Sequence, residues 1–268
     1  MGRFRNIYRA SPATFLIAFA VIHLIAVWTP VGQTAENSLL RGYADDARIF
    51  ASAQSWGPPP LTGEWATLIG GTALIAVVAA LRRRWREGSA ALATVLVSLA
   101  VTEFLSKVVL IRPDLVAAPQ QDLAPSFPSG HVAIVAALSL GCALVTPTRF
   151  RPYVAAVGAV WTAVIAGGVQ SLYWHRPSDV LGATLLACAC YGIAVRLLRP
   201  AGVLDAPRPR ALVPLAVAAA GGLLAGSRND ALGRPLVFAA AAFVCAVLIW
   251  ATVFATPSTD PVPRALRR

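Results

Sequence analysis

Lysine is almost absent from this chain of 268 residues: Lys107 is the only one, and the rest of the 23 basic residues are arginine. An ammonium that occurs once is expected to serve a chemistry that a guanidinium does not. Charge of either sign is also scarce, at 13% of residues against 57% hydrophobic ones. That balance excludes an ordinary soluble domain and indicates a membrane protein.

Cysteine is equally sparse and shows no useful pattern. Cys142, Cys188, Cys190 and Cys245 all fall in apolar stretches without the spacing of a disulfide framework or a metal site. We expect them to be small packing residues. No cleavage site typical of a signal peptide follows Arg9, so the first apolar run is expected to remain as a helix.

Long uncharged apolar runs are what the chain has in abundance, each near the roughly 20 residues that cross a bilayer. They predict an all-α, polytopic membrane bundle of about eight helices. A six-helix core is expected in residues 1–200, and a linker with a C-terminal helix pair in residues 201–268. The runs are Ala13–Thr29, Trp65–Leu81, Ser89–Ile111, Gly130–Val145, Tyr153–Tyr173, Val180–Leu198, Ala211–Ser227 and Pro235–Ala255.

The arginine residues cluster in alternate loops between these runs. The positive-inside rule therefore predicts that both termini lie in the cytoplasm. The net charge of +11 then serves as an orientation signal and attracts anionic membrane lipids. We expect no nucleic-acid partner.

Two other segments carry structural predictions. In the first outer loop, Ala35–Ala53 is predicted to form an amphipathic helix on the membrane surface. It would either cover the site or have no role in substrate access. Gly222-x-x-x-Gly226 is expected to allow close helix packing, either within the chain or between the protomers of a homodimer.

The chemistry begins with His175 and Asp179, which lie four residues apart at the start of a predicted helix and so on one face of it. A carboxylate there can accept the Nδ1 proton of the imidazole and leave Nε2 as a nucleophile or base. The alternative is that this segment only caps the helix.

A second motif, Pro128-Ser129-Gly130-His131, opens another predicted helix. Backbone amides at a helix N-terminus, a glycine and a serine hydroxyl together can bind an anion. His131 would project into this site as a proton donor. Taken alone, the motif is also compatible with a simple helix cap.

The third group is the positive pair Lys107 and Arg112, near the outer end of a predicted span. A lysine within a membrane is costly unless it has a partner or a function. Glu103, four residues earlier, is the structural partner to expect, and extension of the side chain to the interface is another account. The predicted topology places all three groups on the outer face.

Together these segments resemble the signature of the type 2 phosphatidic acid phosphatase superfamily, which includes bacterial acid phosphatases and vanadium haloperoxidases. That signature reads Lys, six residues, Arg-Pro; then Pro-Ser-Gly-His; then Ser-Arg, five residues, His, three residues, Asp. The middle motif matches fully, and the third matches at His175 and Asp179. The resemblance covers roughly residues 65–198.

The resemblance implies a membrane-embedded lipid phosphatase. His175 would be the nucleophile that forms a phosphohistidine, Asp179 would orient it, and His131 would protonate the leaving oxygen. Neither a metal nor another cofactor is implied. The residues implied to hold the phosphoryl oxygens are Lys107, Ser129 and Gly130.

The chain departs from the signature at both of its arginine positions. Arg112 follows Lys107 after four residues instead of six, and the Ser-Arg pair would fall on Gly168 and Val169, which cannot bind phosphate. One guanidinium is therefore displaced and another absent, and a well-placed donor is worth about 3 kcal/mol in a transition state. The candidates to replace it are Arg176, Gln170 and Ser171.

The sequence thus predicts a phosphatase at the extracytoplasmic side of a bacterial cytoplasmic membrane. Its substrate would be a lipid phosphate or diphosphate of the polyprenyl phosphate, phosphatidate or phosphatidylglycerol phosphate type. Two alternatives stay open: a lipid phosphotransferase, and a binder or transporter of lipid phosphates that has lost catalysis.

Overall fold

The computed structural model of the chain describes residues 11–40, 57–119, 123–198, 210–227 and 233–255. Within these ranges the chain forms nine α-helices and no strand, so the predicted all-α bundle is confirmed. The helices are α1 (Pro12–Trp28), α2 (Pro30–Leu40), α3 (Glu64–Leu81), α4 (Trp85–Phe104), α5 (Gly130–Val145), α6 (Arg151–Ser171), α7 (Pro177–Leu198), α8 (Leu212–Gly226) and α9 (Gly233–Ala255).

Five of these helices are long and apolar enough to cross a membrane: α3, α4 with its continuation to Val109, α6, α7 and α9. Helices α1 and α2 meet at a bend of 78° and would form a sixth span if counted together. Helices α5 and α8 were also predicted as spans and are apolar, but they have only 16 and 15 residues. The apolar helices indicate a polytopic membrane protein.

Helix α5 forms the centre of the bundle. Its side chains are buried along nearly the whole length, and it packs against α4, α6 and α7. A helix that is hydrophobic all round is expected in such a position. Small residues bring the neighbours close: a Cβ added at Gly158 of α6 would lie 2.7 Å from the Cβ of Ser139 on α5. Helix α6 therefore packs closely against the middle of the central helix.

The C-terminal helix pair packs onto this core. A Cβ added at Gly167 of α6 would lie 2.6 Å from the carbonyl oxygen of Gly222 and 3.1 Å from the amide nitrogen of Gly226. The two glycines thus serve helix packing within the chain, one of the two predicted uses. The thiol of Cys245 on α9 reaches the carbonyl oxygen of Val180 on α7 at 3.5 Å, and all four cysteines are free.

The segment after α1 folds differently from the prediction. The helix expected at Ala35–Ala53 begins earlier, at Pro30, because Thr29 ends α1 and a proline can occupy the first helical turn. Residues 41–53 of the predicted helix lie outside the described residues, as do residues 201–209 of the predicted linker. Helix α2 leaves α1 at an angle of 78° and contacts the first turn of α7, where Glu36 accepts a hydrogen bond from the amide of Ser178.

Candidate active site

The predicted pair of His175 and Asp179 stands at the start of α7. Nδ1 of His175 lies 3.4 Å from Oδ2 of Asp179, which also accepts a hydrogen bond of 2.8 Å from the backbone amide of Arg176. Ser178 Oγ lies 3.5 Å from the other carboxylate oxygen. Asp179 is fully buried, so these donors are what stabilise its charge. The carboxylate fixes the imidazole through Nδ1 and leaves Nε2 available.

The second motif joins this pair through the backbone. The amide of Ser129 donates to the carbonyl oxygen of Asp179 at 3.1 Å. The Ser129 hydroxyl caps α5 by accepting from the amide of Val132 at 3.4 Å, and Gly130 is the first residue of the helix. The two motifs, which are about fifty residues apart in sequence, therefore meet at one end of the bundle, as the predicted convergence requires.

Phe127 anchors the second motif from behind. Its ring is buried and lies 5.0 Å from the ring of Phe19 and 4.9 Å from that of His23, both on α1. On its other side is Gly182 of α7, where an added Cβ would come within 2.5 Å of the ring. Phe127 thus fills a space between α1 and α7 that only a glycine at position 182 leaves open.

His131 stands beside the nucleophile candidate. The centroids of the His131 and His175 rings are 5.9 Å apart, and the Trp174 ring lies 5.3 Å from that of His131. Nε2 of His131 is 3.0 Å from a carboxylate oxygen of Glu64, the first residue of α3. Sequence reasoning missed Glu64, because a glutamate at the start of a helix ordinarily indicates only a favourable helix terminus.

Lys107 lies at the edge of this group. A π-helical turn, Leu105–Val109, continues α4, and the ammonium pairs with the carboxylate of Glu103, as the structural alternative predicted. The pair is not buried, since 74% of the Lys107 side chain is exposed. Glu103 reaches the second motif, because a Cβ added at Gly130 would lie 3.4 Å from its Oε1. Lys107 is therefore near the N-terminus of α5 and open to solvent or headgroups.

Arg112, displaced in sequence, is brought back to the site by folding. Its buried guanidinium donates to Oδ1 of Asn37 at 3.2 Å and lies 3.7 Å from Oε2 of Glu36. Burial lowers the pKa of Arg112, and the positive charge of Arg176 lowers it further. The two guanidinium groups are thus close enough to interact electrostatically.

Of the three candidates for the absent arginine, only Arg176 carries charge into this region. Its Nη1 donates to Ser126 Oγ at 2.8 Å, and its side chain is buried. Gln170 instead donates to the carbonyl oxygens of Ala166 and Phe238, on the side of α6 that faces α9. Ser171 Oγ bonds to Gly168 within its own helix.

Helix α2 supplies polar contacts that the sequence did not predict. Glu36 Oε1 accepts a hydrogen bond of 3.0 Å from the amide of Ser178 in the first turn of α7. Gln33 bonds to the carbonyl oxygen of Pro113 at 2.6 Å and accepts from the amide of Leu115 at 3.3 Å. No pattern in the sequence relates these α2 residues to the histidine motifs.

A metal has no obvious place among these groups. In the ranges that the structure covers, no three His, Cys, Asp or Glu side chains are arranged so that they could hold an ion. The side chains at the site are instead two imidazoles, two buried guanidinium groups, one exposed ammonium and several carboxylates. This set suits an anionic ligand and proton transfer.

Comparison with known proteins gives one match. Residues 87–202 match the family model described as the PAP2 superfamily. No curated protein and no solved structure matches the chain. The matched range contains all three motifs and ends before α8, and it leaves out α2 and Glu64.

Proposed function

We propose that the chain is a membrane phosphatase that hydrolyses a lipid phosphate or diphosphate through a phosphohistidine, because residues 87–202 match the model of the PAP2 superfamily, which suggests a phosphatase acting on phosphate esters. The observation that carries the proposal is the His175–Asp179 pair beside His131, with two buried guanidinium groups around them.

The first half-reaction uses the two histidines on opposite sides of the phosphorus atom. Nε2 of His175 attacks, since its Nδ1 is held by Asp179. The bond from phosphorus to the lipid oxygen breaks, and His131 gives that oxygen a proton. An in-line displacement of this kind needs the attacking and leaving atoms placed on either side of the phosphoryl group.

The second half-reaction releases phosphate. Water attacks the phosphohistidine, His131 takes its proton, and the nitrogen–phosphorus bond breaks. Glu64 Oε1, 3.0 Å from Nε2 of His131, is close enough to hydrogen-bond with the imidazole and to orient it for both proton transfers. Because His131 recovers from water the proton that it gave to the leaving oxygen, the imidazole ends the cycle in its starting protonation state.

Fixed positive charge stabilises the phosphoryl oxygens in both steps. Arg112 and Arg176 are buried near Asp179, and Lys107 adds a charge at the open edge of the site. The amides at the N-terminus of α5 provide further donors. Charge held in place before the reaction stabilises the transition state without reorganisation.

The position of the site at one end of the apolar helices supports a lipid substrate. The phosphate of an amphiphile lies at the membrane interface, so its tail can stay among the helices while the headgroup reaches the histidines. Arginine placement supports the extracytoplasmic side of a bacterial cytoplasmic membrane, with both termini in the cytoplasm. Polyprenyl phosphates, phosphatidate and phosphatidylglycerol phosphate are the substrate types to test.

The deciding experiment measures phosphate release by the purified chain from these lipids and from a water-soluble phosphate ester, with and without a chelator. We expect release from at least one lipid, no effect of the chelator, inhibition by vanadate, and no turnover by His175→Ala. His131→Ala should accumulate a labelled phosphoenzyme with substrates that have good leaving groups. Thermal unfolding of both variants serves as the control for folding.

The other possible results identify the alternatives. Full activity in His175→Ala would exclude the covalent mechanism. Transfer of phosphate to a lipid or sugar hydroxyl without release would identify a phosphotransferase. Binding of phosphorylated lipids without either reaction would identify a binder.

A further inference from the structure

Helix α2 presents three buried polar residues on one face. Gln33, Glu36 and Asn37 occupy positions i, i+3 and i+4, which share a side of a helix, and each is at most 7% exposed. Thr34 and Ser38 on the opposite side are exposed. A buried polar face on a helix of eleven residues is costly unless its groups are matched. Their contacts show what they are matched to.

Two of the three hold the displaced arginine. Asn37 Oδ1 accepts from Nη2 of Arg112 at 3.2 Å, and Glu36 Oε2 lies 3.7 Å from its Nη1. Gln33 fixes the backbone beside it by bonding to the carbonyl oxygen of Pro113. The side chain and the main chain at this point are thus both attached to α2.

Glu36 also connects this arginine to the nucleophile's helix. Its second oxygen accepts from the amide of Ser178, one residue before Asp179. A single carboxylate therefore spans Arg112 and the first turn of α7. Because both contacts are made by one rigid group, the guanidinium has a defined position relative to His175.

The arrangement leaves donors for a ligand. Nε of Arg112 and Nδ2 of Asn37 are buried and have no acceptor among the residues that the structure describes. Buried donors without partners are uncommon, and an anion supplies the acceptor oxygens that they lack. Both groups belong to the cluster beside Asp179, where the phosphoryl group would be bound.

We infer that Asn37 and Glu36 are positioning residues for phosphate binding. They hold the Arg112 guanidinium at the phosphate site, which Arg112 would not be expected to reach because it follows Lys107 after four residues instead of six. This inference rests on the proposed function, since it assigns Arg112 to the phosphoryl oxygens. Helix α2 lies outside the matched range of residues 87–202. Helix α2, outside the matched range, thus compensates for the shortened spacing from Lys107 to Arg112 within it.

The test is binding of inorganic phosphate to the purified full chain, measured by titration calorimetry. Asn37→Ala removes an acceptor without changing charge, and we expect it to weaken binding by about tenfold, the order expected for one hydrogen bond to a charged group. Arg112→Ala should weaken binding at least as much. In the Arg112→Ala background, Asn37→Ala should change affinity by less than about twofold, because the two act through one interaction.

Glu36→Gln distinguishes positioning from simple electrostatics. Measured at alkaline pH, where Glu36 is ionised, the change removes a negative charge near the anion site, so electrostatics alone predicts tighter phosphate binding. Loss of positioning predicts weaker binding. This variant also keeps the inference testable if Asn37→Ala does not fold. Ser38→Ala, on the exposed side of α2, is the matched control and should bind as the wild type does.

The outcomes separate the inference from the function on which it rests. Phosphate bound by the wild type but equally well by Asn37→Ala and Glu36→Gln would overturn the inference alone. Equal losses from Asn37→Ala in the presence and absence of Arg112 would overturn it as well. A wild-type chain that binds no phosphate would overturn the inference, whereas the proposed phosphatase is decided separately by phosphate release from the lipids.

Discussion

Substitution of Gly182 by alanine should impair both stability and turnover, although this glycine touches no reacting group. The added Cβ would lie 2.5 Å from Cζ and 2.6 Å from Cε2 of Phe127. Carbon atoms in contact are ordinarily about 3.5–4.0 Å apart, so the ring has to move by roughly 1 Å. Phe19 and His23 block the opposite side, and the ring is only 3% exposed. The Phe127 ring therefore cannot relieve the overlap by a small shift.

The magnitude follows from this geometry. Overpacking of this kind costs about 1–3 kcal/mol, which lowers the melting temperature by several degrees in a chain of this size. Phe127 is two residues before Ser129, so its displacement is passed to the start of α5 and to His131. A misplacement near 1 Å can lower turnover by as much as about 100-fold.

The assay is thermal unfolding in detergent together with phosphate release at saturating substrate. Gly70→Ala is the matched control, since this glycine also lies within a helix and an added Cβ meets no atom within 4 Å. It should keep full turnover and gain stability, because alanine favours a helix by about 1 kcal/mol over glycine. A Gly182→Ala protein as stable and active as the wild type would refute the role given to Phe127.

Two further predictions concern charge and topology. Arg176→Ala should lower the catalytic constant more than it raises the Michaelis constant, because charge on the phosphoryl oxygens grows in the transition state. Arg176→Lys should recover little of the lost activity, since an ammonium lacks the planar guanidinium. If Arg176→Ala changes both constants by less than about threefold, or roughly 0.7 kcal/mol, Arg176 has no part in catalysis. In intact cells, a cysteine at Pro119 should react with an impermeant thiol reagent and one at Arg86 should not, with the native chain as the blank; the reverse labelling would place the site on the cytoplasmic side.

The helices were the most predictable part of the fold. All eight predicted apolar runs correspond to helices, and Gly130–Val145 has the predicted bounds because Ser129 caps it and Thr146 ends it. The start of helix α2 was predicted at Ala35, whereas the helix begins at Pro30. It is polar and short, so neither length nor hydropathy marks it, and its position depends on contacts with Pro113 and Ser178, which are distant in sequence.

The site was predictable where chemistry follows from local spacing. His175 and Asp179 meet because they are four residues apart on one helix, and Lys107 and Glu103 pair for the same reason. The position of Arg112 was not predictable, since its partners Asn37 and Glu36 come from a different helix. Counting residues from Lys107 indicated a displaced guanidinium, but tertiary contacts decide where it points.

The hydrogen bond from the Ser129 amide to the Asp179 carbonyl oxygen bears on how the site can move. It joins the helix of His131 to the helix of His175, and Phe127 wedged against Gly182 reinforces that connection. We therefore expect the two histidines to keep their relative positions when the neighbouring segments move. For the lipid phosphate proposed above as substrate, entry and exit would then be on the side where Glu64 and Lys107 are exposed. In the proposed function, the exposed side would admit tails of different shape while these contacts keep the spacing of the reacting groups constant.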